Sequence, residues 1–176
     1  MTVVHGLLPV TTESGPPLET PASHPLKVLV AVDGSPCSDR GVQSVAMRPW
    51  PPGSELEVVS VVHTRVPGFP DTPLFMVEAA HVDALEAERV RAPQRVRRAE
   101  KCLAGKPGVT VTTTVLEGNP AETILEEAER WGADLVVVGS HGYGPVERRL
   151  LGSVSQAVAL HAACSVEIVR CPHGAP

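Results

Sequence analysis

The chain has 176 residues, a length suited to one domain with a modest extension. Hydrophobic residues make up 43% and aromatics only 3%, so the core must be built from Val, Leu, Ile and Ala, which suits a buried parallel sheet better than an antiparallel sandwich. A formal net charge of -5 argues against nucleic acid as a partner, since phosphate contacts need a basic footprint, and no apolar run approaches the ~20 residues that cross a membrane.

Residues 1–26 hold five prolines among Ser, Thr and Gly with no sustained period, and are expected to form a flexible N-terminal tail. The stretch from Met1 to Val10 carries no Lys or Arg and is cut by Pro9, a poor secretory signal, so a cytoplasmic location is expected. The character changes at Lys27. From Lys27 to Asp33 the chain is a near-continuous apolar run ending in an acid, which reads as a buried strand whose carboxyl end meets solvent. Ser35-Pro36 is a cap followed by proline at the first helical position; that helix runs to about Arg48 and is stopped by Pro49, Pro51 and Pro52. Leu56 to Thr64 is β-branched and apolar, a second buried strand.

Arg65 to Met76 contains three prolines and one glycine and reads as a loop. Val77 to Leu103 reads as a helix that Pro93 is expected to kink or divide. Val109 to Leu116 is a third strand. Asn119-Pro120-Ala121-Glu122 combines a cap, a proline and an acid at the start of a helix that ends near Trp131-Gly132. Asp134 to Gly139 is a fourth strand, and a glycine-rich segment follows it. Ser153-Val-Ser-Gln156 has capping-box spacing and opens a helix to about His161; Ser165 to Arg170 is the fifth strand.

This alternation predicts a single α/β domain over 27–171, an open five-stranded parallel sheet with helices on both faces, followed by a short tail at 172–176. The cysteines (Cys37, Cys102, Cys164 and Cys171) form no CxxC pair. Cys164 and Cys171 flank a strand that spans roughly 23 Å when extended, so they cannot bridge, and all four are expected as reduced, partly buried thiols. No His, Cys, Asp or Glu set has zinc spacing. Arg89, Arg91, Arg95, Arg97, Arg98 and Lys101, interleaved with Glu86, Glu88 and Glu100, read as a solvated, salt-bridged face. Trp50 and Trp131, at helix ends, read as packing residues.

In open parallel sheets ligands bind beyond the carboxyl ends of the strands, and two segments there carry candidate chemistry. Asp33, before Gly34 and Ser35, either accepts hydrogen bonds from ribose hydroxyls or caps the following helix. The segment from Gly139 to Ser153 lets backbone approach an anion closely or adopt positive φ, and ends at a helix N-terminus whose free N–H groups favour negative charge. Ser153 and Ser155 add hydroxyls there. The alternative is a glycine-rich turn with Ser153 acting only as a cap. His141 is a positioning or acid–base candidate; Arg148 and Arg149 are either phosphate clamps or surface residues.

Gly139-x-x-Gly142, nine residues, then Gly152-Ser153, taken with Val30-Ala31-Val32-Asp33-Gly34-Ser35, resembles the ATP-binding branch of the universal stress protein family over about residues 27–171. The resemblance implies a Rossmann-like, nucleotide-binding α-hydrolase-like fold and ATP as ligand, accompanied by Mg2+ or Mn2+. It places Ala31, Val32 and Asp33 along the nucleoside and Thr64 near adenine. Val138, Gly139, His141 and Gly142 border the ribose and phosphates, and Gly152, Ser153, Val154 and Ser155 hold the polyphosphate. It further implies a stress-response regulator that forms a homodimer, often through the last strand, here Ser165–Arg170; an unknown protein partner is expected to read it, and charge and hydropathy point to no nucleic acid and no membrane. Thr64, Pro93, Ala162-Ala163 and Glu167 depart from the family's usual residues. With no Gly-x4-Gly-Lys-Ser/Thr loop and no evident catalytic carboxylate, fast phosphoryl transfer is not expected; slow ATP hydrolysis, labelling of Ser153 or Ser155, and a dimeric scaffold without nucleotide are the alternatives.

Overall fold

The computed structural model describes residues 24–63, 74–142 and 151–171, the first eight residues of its longest helix by backbone alone. Strands and helices alternate along it as β1 Lys27–Ala31, α1 Pro36–Met47, β2 Glu55–His63, α2 Leu74–Leu103, β3 Thr110–Gly118, α3 Pro120–Trp131, β4 Leu135–Gly139, α4 Ser153–His161 and β5 Ser165–Val169. All pairings are parallel and the strand order is β3-β2-β1-β4-β5. Chain order reverses direction at β1, so a crevice opens beyond the carboxyl ends of β1 and β4.

Each face of the sheet buries one apolar set. On one side Val28, Val30, Val58 and Val137 meet Val42 and Val45 of α1 and Val96, Ala99 and Leu103 of α2. On the other, Leu29, Val59, Val136 and Val138 meet Ile124 and Ala128 of α3 and Val158 of α4. The near-continuous apolar runs of β1 and β4 follow from this, because a strand covered on both faces has no solvent side to make polar. Trp50 and Trp131 pack against the two cores at helix ends.

The helix starts are set locally. Ser35 Oγ accepts the Ser38 N–H at 3.2 Å and Asn119 Oδ1 accepts the Ala121 N–H at 3.0 Å, each with proline next in sequence. At α4 the expected cap is displaced by one residue: the N-cap is Gly152, no side chain caps the helix, and Ser153 is its first helical residue.

Three further expectations are corrected. The second helix begins at Leu74, inside the stretch read as loop, and continues through Pro93 as one element. Proline inside a helix costs about 3 kcal/mol; here Ala92, Val96, Ala99 and Leu103 seat both sides of it on the core, and Glu88 reaches across it to Arg95 at 2.6 Å. Third, the four cysteines are not all free thiols. Cys37 and Cys171 form a disulfide with Cα atoms 5.2 Å apart, because β5 delivers the chain to the start of α1, while Cys164 stays a free thiol at the strand's other end. The basic stretch of α2 is ion-paired, Arg89 to Glu117, Arg91 and Arg95 to Glu88, and Arg98 to Asp39. No helix among the described residues is long and apolar enough to cross a membrane.

Candidate functional site

The crevice beyond β1 and β4 is a cleft of ≈ 230 Å³. Ala31, Val32 and Asp33 line it from the end of β1, Val138, Gly139, His141 and Gly142 from the end of β4, and Gly152, Ser153, Val154 and Ser155 from the start of α4. The sheet therefore brings all the expected site residues together except Thr64, which lies outside the described residues, as do Arg148 and Arg149. Ser38, Val59, Val61, Pro120 and Ile124 also line the cleft and were not anticipated. Their signals were in the sequence: Val59 and Val61 share one face of a strand by their spacing of two, and Pro120 and Ile124 share one face of a helix by their spacing of four.

Asp33 is held by its neighbours. Its Oδ1 accepts the Ser35 N–H at 2.9 Å, while its own N–H and that of Gly34 donate to Ser38 Oγ, each at 3.3 Å. The helix cap itself is Ser35; Asp33 Oδ1 fixes the turn before it, and Oδ2 is left beside Gly142. The turn is tied to the other wall as well, since Ser35 Oγ donates to the His141 carbonyl at 3.1 Å.

The glycines act by close approach, not by left-handed backbone, for Gly139, Gly142 and Gly152 are not among the residues with positive φ. A Cβ on Gly139 would stand 2.7 Å from the Ser38 nitrogen and 2.9 Å from the Cys37 carbonyl carbon, both backbone atoms. The end of β4 therefore packs directly against the first turn of α1, and no side chain fits between them.

Ser140 joins the remaining parts. Its N–H donates to the Val169 carbonyl of β5 at 2.8 Å, and its carbonyl accepts the Gly152 N–H at 2.8 Å. Ser155 Oγ also donates to that carbonyl, at 3.1 Å, and lies 2.9 Å from the Gly152 carbonyl. The buried Ser155 hydroxyl is thus turned inward, which leaves its amide for a ligand and leaves exposed Ser153 as the accessible hydroxyl. The first-turn amides of α4 have no intrahelical acceptor, and among the described residues no side chain caps them, so they are donors of the kind that favour an anion. His141 Nδ1 lies 3.0 Å from Ser140 Oγ, and its Nε2 is buried without a partner. No group of three or more His, Cys, Asp or Glu side chains among the described residues is placed to hold a metal.

Across the strand order β2-β1-β4 the cleft therefore has an apolar wall from β2 and α3 (Val59, Val61, Pro120 and Ile124), a carboxylate from the end of β1, and backbone donors at the start of α4. Such an arrangement accommodates a flat apolar ring, a polyol and an anion in that order.

Residues 26–170 match the sequence profile of the universal stress protein family. The universal stress protein YxiE of Bacillus subtilis is 31% identical over 145 residues, 82% of this chain and 98% of that protein. Hypothetical protein MJ0577 shares the fold with a TM-score of 0.70 at 24% identity, covering 84% of this chain and 97% of that one. A universal stress protein solved in complex with cAMP is similar with a TM-score of 0.56 at 26% identity, over 82% of this chain and 96% of that one.

Proposed function

The chain belongs to the universal stress protein family, and from that premise we propose that its cleft binds an adenine nucleotide, ATP with Mg2+ or Mn2+ foremost, and that the loaded form works as a homodimeric regulator in the cell's stress response. The observation that carries this reading is the order of chemistry along the cleft. Adenine lies against Val59, Val61 and Ile124, the ribose hydroxyls donate to Asp33 Oδ2, and the phosphates meet the open N-terminus of α4. The cAMP complex of a relative supports the ligand class without deciding the number of phosphates. A divalent cation would be held chiefly by the polyphosphate oxygens, since no group of three or more His, Cys, Asp or Glu among the described residues is placed to bind it, and would offset phosphate charge there.

A regulatory role is proposed over rapid turnover because, among the described residues, no Lys or Arg lines the cleft to clamp phosphate beside the candidate base His141. Fast phosphoryl transfer needs a base or water-orienting group and a cation clamp together. The homodimer is proposed through Ser165–Arg170, since β5 is an edge strand and an unpaired edge is a template for another chain. Glu167 does not oppose this, for its carboxylate is turned toward α1, where Arg48 and Ser44 bind it.

The test is calorimetric titration of nucleotide-stripped protein with ATP and magnesium, with AMP and cAMP as parallel ligands, beside Gly142→Glu. Saturable binding that the variant loses is expected. A correctly folded wild-type chain that binds none of the three sinks the reading and leaves a dimeric scaffold.

A further inference from the structure

The Cys37–Cys171 bond joins the two chain segments on which Ser140 hangs. Ser140 Oγ reaches Cys37 Sγ at 3.7 Å, and the Ser140 N–H is held by Val169, two residues before Cys171. From the same residue, the carbonyl anchors Gly152 and Ser155 at the start of α4. One residue thus separates a covalent clasp from the end of the cleft assigned to phosphate.

We propose that Cys37–Cys171 is a redox clasp whose closure orders the phosphate end of the cleft and tightens nucleotide binding, and whose opening by a small dithiol loosens it. The inference rests on the nucleotide reading for its effect on affinity but not for its effect on order. The two sulfurs differ in a way that sets the chemistry. Cys37 is buried at 7% exposure, whereas Cys171 is half-buried at the end of the sheet, so an incoming thiolate attacks Cys171 Sγ. A new S–S bond forms there as the Cys37–Cys171 bond breaks. Cys37 leaves as a thiolate in the first turn of α1, where the helix N-terminus favours negative charge, and then takes up a proton. The second thiolate of the reductant attacks the mixed disulfide and releases Cys171, which is protonated in turn. Two electrons and two protons pass to the protein, and the dithiol becomes a cyclic disulfide. Closure is the reverse exchange with a small-molecule disulfide as oxidant.

With the bond open, the end of β5 and the first turn of α1 are held together by non-covalent contacts alone. Both anchors of Ser140 then move independently, and its carbonyl, which holds the Gly152 N–H and the Ser155 hydroxyl, no longer fixes the start of α4 and the amides that follow. A ligand that needs those amides in place must supply the ordering free energy itself, which lowers its affinity.

The experiment uses the full chain, oxidised with glutathione disulfide or reduced with dithiothreitol. It reads thiols by alkylation and mass spectrometry, amide exchange by hydrogen–deuterium labelling, and affinity by titration with ATP and magnesium. In the oxidised protein only Cys102 and Cys164 should alkylate after unfolding; in the reduced protein all four should. Exchange at Ser140 and Gly152 should be faster after reduction, and ATP affinity about fivefold or more weaker. Cys171→Ser should match the reduced wild type in both buffers. Persistent alkylation of Cys37 and Cys171 after oxidation overturns the clasp, and so do exchange rates and affinities that ignore the redox state. Equal ATP binding in both states with equal exchange leaves the nucleotide reading standing. No ATP binding in either state removes the nucleotide reading, and the exchange rates alone then support or overturn the clasp.

Discussion

Asp33 Oδ2 stands 2.7 Å from the position that a side chain's first carbon would take at Gly142. The carboxylate at the end of β1 and the bare backbone after β4 are therefore one feature, since the oxygen keeps its place only because Gly142 has no side chain. The smallest possible change already intrudes. Gly142→Ala should push the Asp33 carboxylate from its position and weaken nucleotide binding roughly tenfold, the cost of about one charge-assisted hydrogen bond. Thermal unfolding should shift little, because Gly142 lies at the cleft and not in the core. Unchanged affinity in the alanine variant would show that Oδ2 does not meet the ligand.

Asp33→Asn separates the two duties of this side chain. An amide oxygen in place of Oδ1 still accepts the Ser35 N–H, so the turn and α1 should form normally. The other position becomes a donor toward the proposed ribose site, and affinity for ATP and AMP, which both carry free 2′- and 3′-hydroxyls, should fall by about the same factor, roughly ten to a hundred. Equal loss for the two places the contact at a group they share; a loss confined to ATP would move Asp33 to the phosphate end.

Glu57 makes stability depend on pH. It lies under α3 with only 4% exposure. Burial raises its carboxyl above the ordinary glutamate value of 4.5; the Thr114 hydrogen bond acts against burial and the nearby Glu127 acts with it. Thr114 Oγ1 donates to Oε1 at 2.6 Å, while Oε2 is buried without a partner. A raised folded-state value means that the native chain holds this proton more tightly than the unfolded chain. The contribution is full below 4.5 and is lost as pH rises through the raised value. Glu57→Gln keeps the acceptor for Thr114 and removes the charge. The variant should gain stability over wild type as pH is raised from about 5 to about 8 in a series of urea titrations. A difference between the two proteins that does not change with pH would mean that Glu57 does not titrate in this range.

Pro93 is carried by a helix that other contacts hold in place. Pro93→Ala restores a backbone N–H and removes the ring, and should raise the urea midpoint by the equivalent of about 1–3 kcal/mol. Removing the support instead should have the opposite effect. Val96→Ala, one turn further on, should lower stability by about 1–3 kcal/mol. A destabilised Pro93→Ala would show that the proline shapes α2 to fit the sheet.

The sequence by itself determined whatever depends on neighbours along the chain. Caps such as Ser35-Pro36 and Asn119-Pro120 act over three residues, and apolar runs such as Val28–Val32 report burial on both faces without naming what covers them. Those local signals, read in alternation, were enough for a parallel α/β sheet and for the carboxyl ends of two strands as the place of the candidate cleft. The family motif then named residues that the fold draws into one cleft. What the tertiary structure alone decided involves partners far apart in sequence. Cys37 meets Cys171 across 134 residues, Ser140 binds β5 on one side and α4 on the other, and Glu57 and Glu127 come together beneath α3. It also decided that the Ser155 hydroxyl turns inward to the Ser140 carbonyl, because a hydroxyl bonds to whichever acceptor the packing brings nearest. Local propensity is a sum over a few residues. Strand order, the disulfide and the apolar wall of the cleft follow from packing two whole faces of a sheet at once, and no short window of sequence contains that information.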